Sequence, residues 1–161
     1  KVPDIAERLE TLIPTIHEHR CSVGEPGGFL QRVRGGTWAG HMVEHVAIEL
    51  QNLIGFSVGY GKTVDSYEPG IYNVVYRYRD EASGLAAGEA AVGIVQKLYD
   101  GEGVDLDPII ESLKEVRDAN ALGPSTGSIV NAARSSGSRL STCDFPHARA
   151  RICVSWVSTW R

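Results

Sequence analysis

The run Thr37-Trp-Ala-Gly-His-Met-Val-Glu-His-Val-Ala-Ile-Glu-Leu-Gln constrains this chain most, because one helix must satisfy two demands at once. Met42, Val43, Val46, Ile48, Leu50, Leu53 and Ile54 supply apolar faces that have to be buried. His41, Glu44 and His45 stand among them in H-x-x-E-H spacing. Thr37 is the expected N-cap and Gly55 the expected stop. Residues four apart lie one turn above each other, so His41 and His45 can direct ring nitrogens at a common ion. Zinc suits such a pair, and Glu44 falls at the edge of the same face, where it can polarise water rather than ligate. The alternative is that both histidines hydrogen-bond to nearby carboxylates inside the domain and bind nothing.

A catalytic zinc takes a third protein ligand and keeps one position open. Glu49 continues the series, but three ligands on one straight helix cannot surround an ion, so it is expected as a supporting partner of His45. Asp80, Glu81 and Glu89 flank or lie on the next long apolar helix, and Glu81 at its start is the first choice for the third ligand. The alternative for these three is a solvated carboxylate at a helix start. Arg32 and Arg34, beside a Gly-rich turn, could meet substrate carboxylates or simply form a solvated face. His17 and His19 are two apart and so on different helix faces; His19 could line a site near Cys21, with plain exposure as the alternative.

The chain has 161 residues, 42% of them hydrophobic, which is enough for one domain with a core of its own. A net charge of −4 argues against a general nucleic-acid binder. No apolar run approaches the ~18–20 residues that span a membrane, and no signal-peptide pattern opens the chain. Cys21, Cys143 and Cys153 form no disulfide framework or zinc-ribbon spacing, so a reduced, cytoplasmic protein is expected. Gly59-Tyr-Gly-Lys-Thr63 superficially resembles a phosphate loop, but Phe56 stands where a glycine is required and a strand follows.

Helical periodicity runs from about Asp4 to Arg20 with a kink at Pro14, then over Phe29–Arg34, Ser83–Tyr99 and Asp107–Asn120, the last with Asp107 as N-cap. Phe56–Val64 and Ile71–Arg79 read as strands about a turn at Glu68-Pro-Gly. The expected fold is α+β: a helix-rich single domain with a small β-sheet or hairpin.

Gly27-Gly-Phe-Leu-Gln-Arg-Val, the Thr37–Gln51 run, Gly70-Ile-Tyr-Asn-Val-Val-Tyr and Leu122-Gly-Pro-Ser-Thr-Gly-Ser-Ile-Val resemble the amino-terminal domain of cyanophycin synthetase in order and spacing. The similarity assigns 1–134 to that domain. The family makes cyanophycin, a poly-aspartate carrying arginine on its side chains, with ATP-grasp and Mur-ligase-like domains that follow the amino-terminal one. This chain shows neither, so the resemblance implies no ATP use by it alone. It implies polymer binding and, in some members, slow metallopeptidase-like cleavage that makes primers, at a site matching His41, Glu44 and His45. Its expected partners are cyanophycin, short Asp-Arg oligomers and the ligase domains. The alternative is a non-catalytic lobe that anchors polymer or contacts those domains. Contacts between family subunits largely involve the absent domains, so a monomer is expected. Residues 135–161 carry no family motif and a shifted composition, and are expected to be a poorly ordered tail, frameshifted or appended.

Overall fold

The computed structural model describes residues 4–68 and 71–121, and the backbone of 149–155. Pro69 and Gly70 of the expected turn, the Leu122–Val130 motif and the remainder of 135–161 lie outside the described residues.

In chain order the elements are α1 (Ile5–Leu12), two 3₁₀ turns (Pro14–Glu18 and Cys21–Val23), α2 (Gly28–Arg34), α3 (Ala39–Leu53), β1 (Gly61–Asp65), β2 (Ile71–Arg77), α4 (Glu81–Tyr99), α5 (Asp107–Ala119) and β3 (Arg149–Ser155). The α+β class read from the sequence is the observed one, with an antiparallel sheet in the order β1-β2-β3. Gly61 faces Tyr76 and Asp65 faces Tyr72 in the first pair, and Ile71 faces Ser155 in the second. Within the segment expected as a tail, then, Arg149–Ser155 is a strand along β2, and its Arg-Ala-Arg-Ile-Cys-Val-Ser sequence has the alternation a strand favours.

Helix α3 is the axis of the domain. Met42, Val43, Val46, Ala47 and Leu50 are all buried, as expected of a helix with apolar residues on most of its circumference. It packs against α4 on one side, β1 and β2 on another, and the first 3₁₀ turn on a third. Gln51 clamps its carboxyl-terminal part to the end of β2, donating from Nε2 to the Ala47 and Arg77 carbonyls at 3.1 and 3.2 Å. The Tyr76 hydroxyl donates to the Gly84 carbonyl at 2.8 Å, joining β2 to α4. At the start of α4, Asp80 is the N-cap, its Oδ2 accepting from the Ser83 amide at 2.7 Å. In α5 the cap falls one residue earlier than expected, at Leu106, so Asp107 opens the helix itself.

Around Pro14 the observed path departs from the expected kinked helix over 4–20. Helix α1 ends at Leu12, and Ile13 leaves the helical region at φ −130°, because a residue that precedes proline is pushed away from α geometry. The chain turns through two short 3₁₀ segments that keep Ile13 and Ile16 in the core while carrying His19 and Cys21 toward the amino-terminal half of α3. Helix α2 fixes this excursion. The Phe29 amide donates to the His19 carbonyl at 3.1 Å, and a Cβ built on Gly28 would stand 2.1 Å from the Arg20 carbonyl oxygen. Only glycine permits that approach.

Candidate metal centre

Apart from Gln51, the polar residues of α3 fall at positions 41, 44, 45, 49 and 52, a stripe along one face of a largely apolar helix. His41, Glu44, His45 and Asn52 of this stripe line a cleft of about 860 Å³, with His19, Arg20, Cys21 and Arg32 on one side and Gly61, Lys62 and Thr63 of β1 on the other. The expected convergence of His41, Glu44 and His45 is therefore present, and the segment read as a false phosphate loop forms one wall.

Cys21, His41 and His45 each present a ligand atom such that the three lie within 4.8 Å of one another. Cys21 Sγ is 3.3 Å from His41 Nε2. A tetrahedral zinc with ordinary Zn–S and Zn–N lengths separates such a pair by about 3.6 Å, so the donor set fits a metal ion after small adjustments. The other ring nitrogens are engaged. His41 Nδ1 lies 2.8 Å from the Thr37 hydroxyl, and His45 Nδ1 lies 2.8 Å from His19 Nδ1. Thr37, expected to cap the helix, thus holds a histidine ring instead, and the cap position is Trp38. Phe29 lies flat on the His45 ring, at 4.0 Å between centroids and 18° between planes, and meets His41 edge-on at 5.5 Å and 89°.

Burial sets the electrostatics. It drives His45 down to about 2, helped by the nearby imidazoles of His19 and His41, so this ring is neutral at any physiological pH. His41 is lowered for the same reason and by the Arg32 guanidinium. Neutral imidazole is the form that ligates. Burial raises the Glu44 carboxyl, an effect only partly offset by hydrogen bonds from Thr63, whose hydroxyl donates to Oε2 at 2.7 Å. The other carboxylate oxygen, Oε1, is 3.9 Å from His45 Nε2. For Glu49, burial is outweighed by hydrogen bonds from His19, Thr15 and Asn52, which hold the carboxyl below its ordinary value.

Three expected positions differ. Glu49 was expected beside His45, but its partner is His19 Nε2 at 2.8 Å, and His19 in turn meets His45. Glu81 opens α4 as an exposed residue outside the cleft. Helix α4 does pack on α3, but its first turn follows the end of β2, which is tied to Gln51, ten residues and about 15 Å along α3 from His41. Cys21 stands where a third ligand was sought. Arg32 lines the cleft, whereas Arg34 turns away to pair with Glu10 at 3.4 Å. His19, for which exposure was the alternative, lines the cleft; His17 is exposed and pairs with Glu10 at 2.9 Å.

Gly61 connects sheet and site. A Cβ there would lie 2.5 Å from Glu44 Cγ and 2.7 Å from its Oε1. Gly61→Ala is therefore expected to cost about 1–3 kcal/mol by overpacking and to displace the Glu44 carboxylate. Thermal unfolding and a crystal structure of the variant would check both parts.

These features define a class: a small α+β domain whose central helix presents an H-x-x-E-H stripe to an open cleft completed by a cysteine. The family pattern described as cyanophycin synthase-like N-terminal domain matches residues 1–100, and the chain belongs to this family. Cyanophycin synthetase of Synechocystis sp. (strain ATCC 27184 / PCC 6803 / Kazusa) is 48% identical over 82% of this chain and 16% of its own length. That of Crocosphaera subtropica (strain ATCC 51142 / BH68) is 45% identical over 83% of this chain, and that of Nostoc sp. (strain PCC 7120 / SAG 25.82 / UTEX 2576) 46% identical over 85%. The chain spans 16% of the length of each of these relatives. Among the described residues no helix is long and apolar enough to cross a membrane.

Proposed function

We propose that this domain binds cyanophycin and cleaves its backbone slowly as a metal-dependent amide hydrolase, producing short primers for a synthetase. One observation carries the reading: the Cys21–His41–His45 donor cluster opens onto a cleft beside a buried carboxylate, Glu44, whose Oε1 is 3.9 Å from His45 Nε2. A zinc ion held by Cys21, His41 and His45 would supply a Lewis acid that brings the pKa of water toward neutrality. Glu44 Oε1 accepts the proton that water loses on attacking the amide carbon, and its raised pKa lets it hold that proton and return it to the departing amine. Thr63 keeps Oε2 occupied, so the proton exchanges at Oε1, the oxygen nearer the histidines.

Polymer selection follows from charge. Arg20, Arg32 and Lys62 line the cleft and suit carboxylates, with Arg32 the member of the sequence-derived pair that takes this role. Glu18, on the same lining, suits a guanidinium. The curated relatives carry the name of a synthetase, and docking of this domain to the ATP-grasp and Mur-ligase-like domains that the family resemblance implies is part of the same proposal.

A second reading rests on a specific contact. Cys21 Sγ, His41 and Thr37 form a nucleophile–base–orienter series at 3.3 and 2.8 Å, and Cys21 has a left-handed backbone, φ 51°. The deciding experiment is incubation of the purified chain with cyanophycin, with zinc or a chelator, following polymer length by mass spectrometry. Zinc-dependent shortening abolished by chelation is the expected result. Shortening that ignores the chelator but stops on thiol alkylation would assign a cysteine hydrolase. Polymer binding without shortening under any condition would make the domain an anchoring lobe.

A further inference from the structure

The histidine cluster is backed by a chain of hydrogen bonds whose direction can be worked out from one end. The Val58 backbone amide donates to Asn52 Oδ1 at 3.0 Å, which fixes the orientation of the Asn52 amide. Its Nδ2 therefore donates to Glu49 Oε2 at 3.2 Å. Glu49 Oε2 is thus an acceptor, and the His19 nitrogen 2.8 Å from it, Nε2, must carry a proton. A neutral His19 with its proton on Nε2 offers a lone pair at Nδ1. Only one hydrogen can lie in the 2.8 Å gap between His19 Nδ1 and His45 Nδ1: a cationic His19 would supply it, whereas a neutral His19, already protonated on Nε2, receives it from His45. The consequence is at the far side of the ring: a neutral His45 protonated on Nδ1 leaves Nε2 with a free lone pair facing the cleft. The side chains of His19, Glu49 and His45 are 12%, 7% and 9% exposed, so water does not readily substitute for these partners.

We propose that His19 is held neutral as a positioning residue, not a metal ligand, and together with Glu49 and Asn52 locks His45 in the Nδ1–H tautomer and so presets Nε2 as a ligand atom. The role as ligand rests on the metal-hydrolase reading above, whereas the tautomer does not. Free histidine favours the Nε2–H form, so the relay reverses the intrinsic preference. Both ring nitrogens of His19 are occupied, one by Glu49 and one by His45, which is why it does not join Cys21, His41 and His45 around an ion.

The test has a metal-free and a metal-bound arm. In the metal-free protein, ¹⁵N–¹H long-range correlation NMR should show His45 protonated on Nδ1 and His19 on Nε2. His19→Ala should move His45 toward the Nε2–H form. His19→Gln should restore the Nδ1–H form, because the amide oxygen can accept from His45 while its N–H donates to Glu49. Zinc affinity, measured by chelator competition, should fall about 10–100-fold in His19→Ala and recover most of that in His19→Gln. A wild-type His45 carrying its proton on Nε2, or a His19→Ala protein that binds zinc as tightly as wild type, would overturn the proposal. So would a cobalt spectrum showing that His19→Ala loses a ligand. If the wild-type protein binds no zinc yet His45 is Nδ1-protonated, the relay stands and the metal-hydrolase reading is what fails.

Discussion

Glu44→Gln is expected to slow zinc-dependent shortening of cyanophycin by roughly 10²–10⁴-fold, the usual contribution of a general base, while zinc affinity stays close to wild type. The substitution is nearly isosteric, and the amide oxygen can still accept from the Thr63 hydroxyl that holds Glu44 at 2.7 Å. What disappears is basicity at Oε1, the atom 3.9 Å from His45 Nε2. Loss of folding is not a rival explanation, because the sign of the stability change is opposite. Burial raises the Glu44 pKa, so at neutral pH the folded protein bears the cost of holding a buried carboxylate. A neutral amide removes that cost, and the variant should unfold at the same temperature as wild type or higher. That advantage should shrink as pH falls through the raised pKa, where Glu44 is itself protonated. Mass spectrometry of the polymer, chelator competition and thermal unfolding together check the prediction. If shortening survives in Glu44→Gln, the carboxylate is not the base and the Cys21–His41 pair becomes the leading candidate.

The parts of the site that were legible in the sequence are those set by local periodicity. An i, i+4 histidine pair with a carboxylate between them needs only a helix to converge, and α3 provides it. Cys21 and His19 were not assigned to the cluster for a different reason. Their positions depend on where the chain goes after α1, and that is decided by the break at Ile13-Pro14 and by a glycine contact between residue 28 and Arg20. Pro14 and the Gly24–Gly28 turn residues were visible signals of a change in direction, but not of the direction taken. Glu81 shows the complementary error. The packing of α4 on α3 was foreseeable from two long apolar helices; which end of α3 its first turn would reach was not, since β2 had first to be laid antiparallel to β1. Glu49 was expected to support His45 directly, but its carboxylate meets His19, and that imidazole stands between it and His45.

The second large effect concerns a residue with no chemistry of its own. Phe29 is fully buried, and its ring lies 4.0 Å beneath His45 while meeting His41 edge-on. Phe29→Ala is expected to destabilise the domain by about 3–5 kcal/mol, from lost apolar burial and the cavity left behind. Against a total stability of about 5–15 kcal/mol, this is enough to lower the unfolding temperature by roughly 10–20 °C. The same deletion removes the flat surface that keeps the His45 ring from tilting, so weaker metal binding is expected even where the protein remains folded. Phe29→Leu separates the two consequences. A branched aliphatic chain fills most of the volume and should cost only about 1–2 kcal/mol, but it offers no plane for the imidazole to lie on. If Phe29→Leu keeps its stability and loses zinc affinity, stacking helps orient His45 alongside the hydrogen bond from its Nδ1 to His19. If it binds zinc as tightly as wild type, that hydrogen bond alone fixes the ring, and the aromatic residue serves the core.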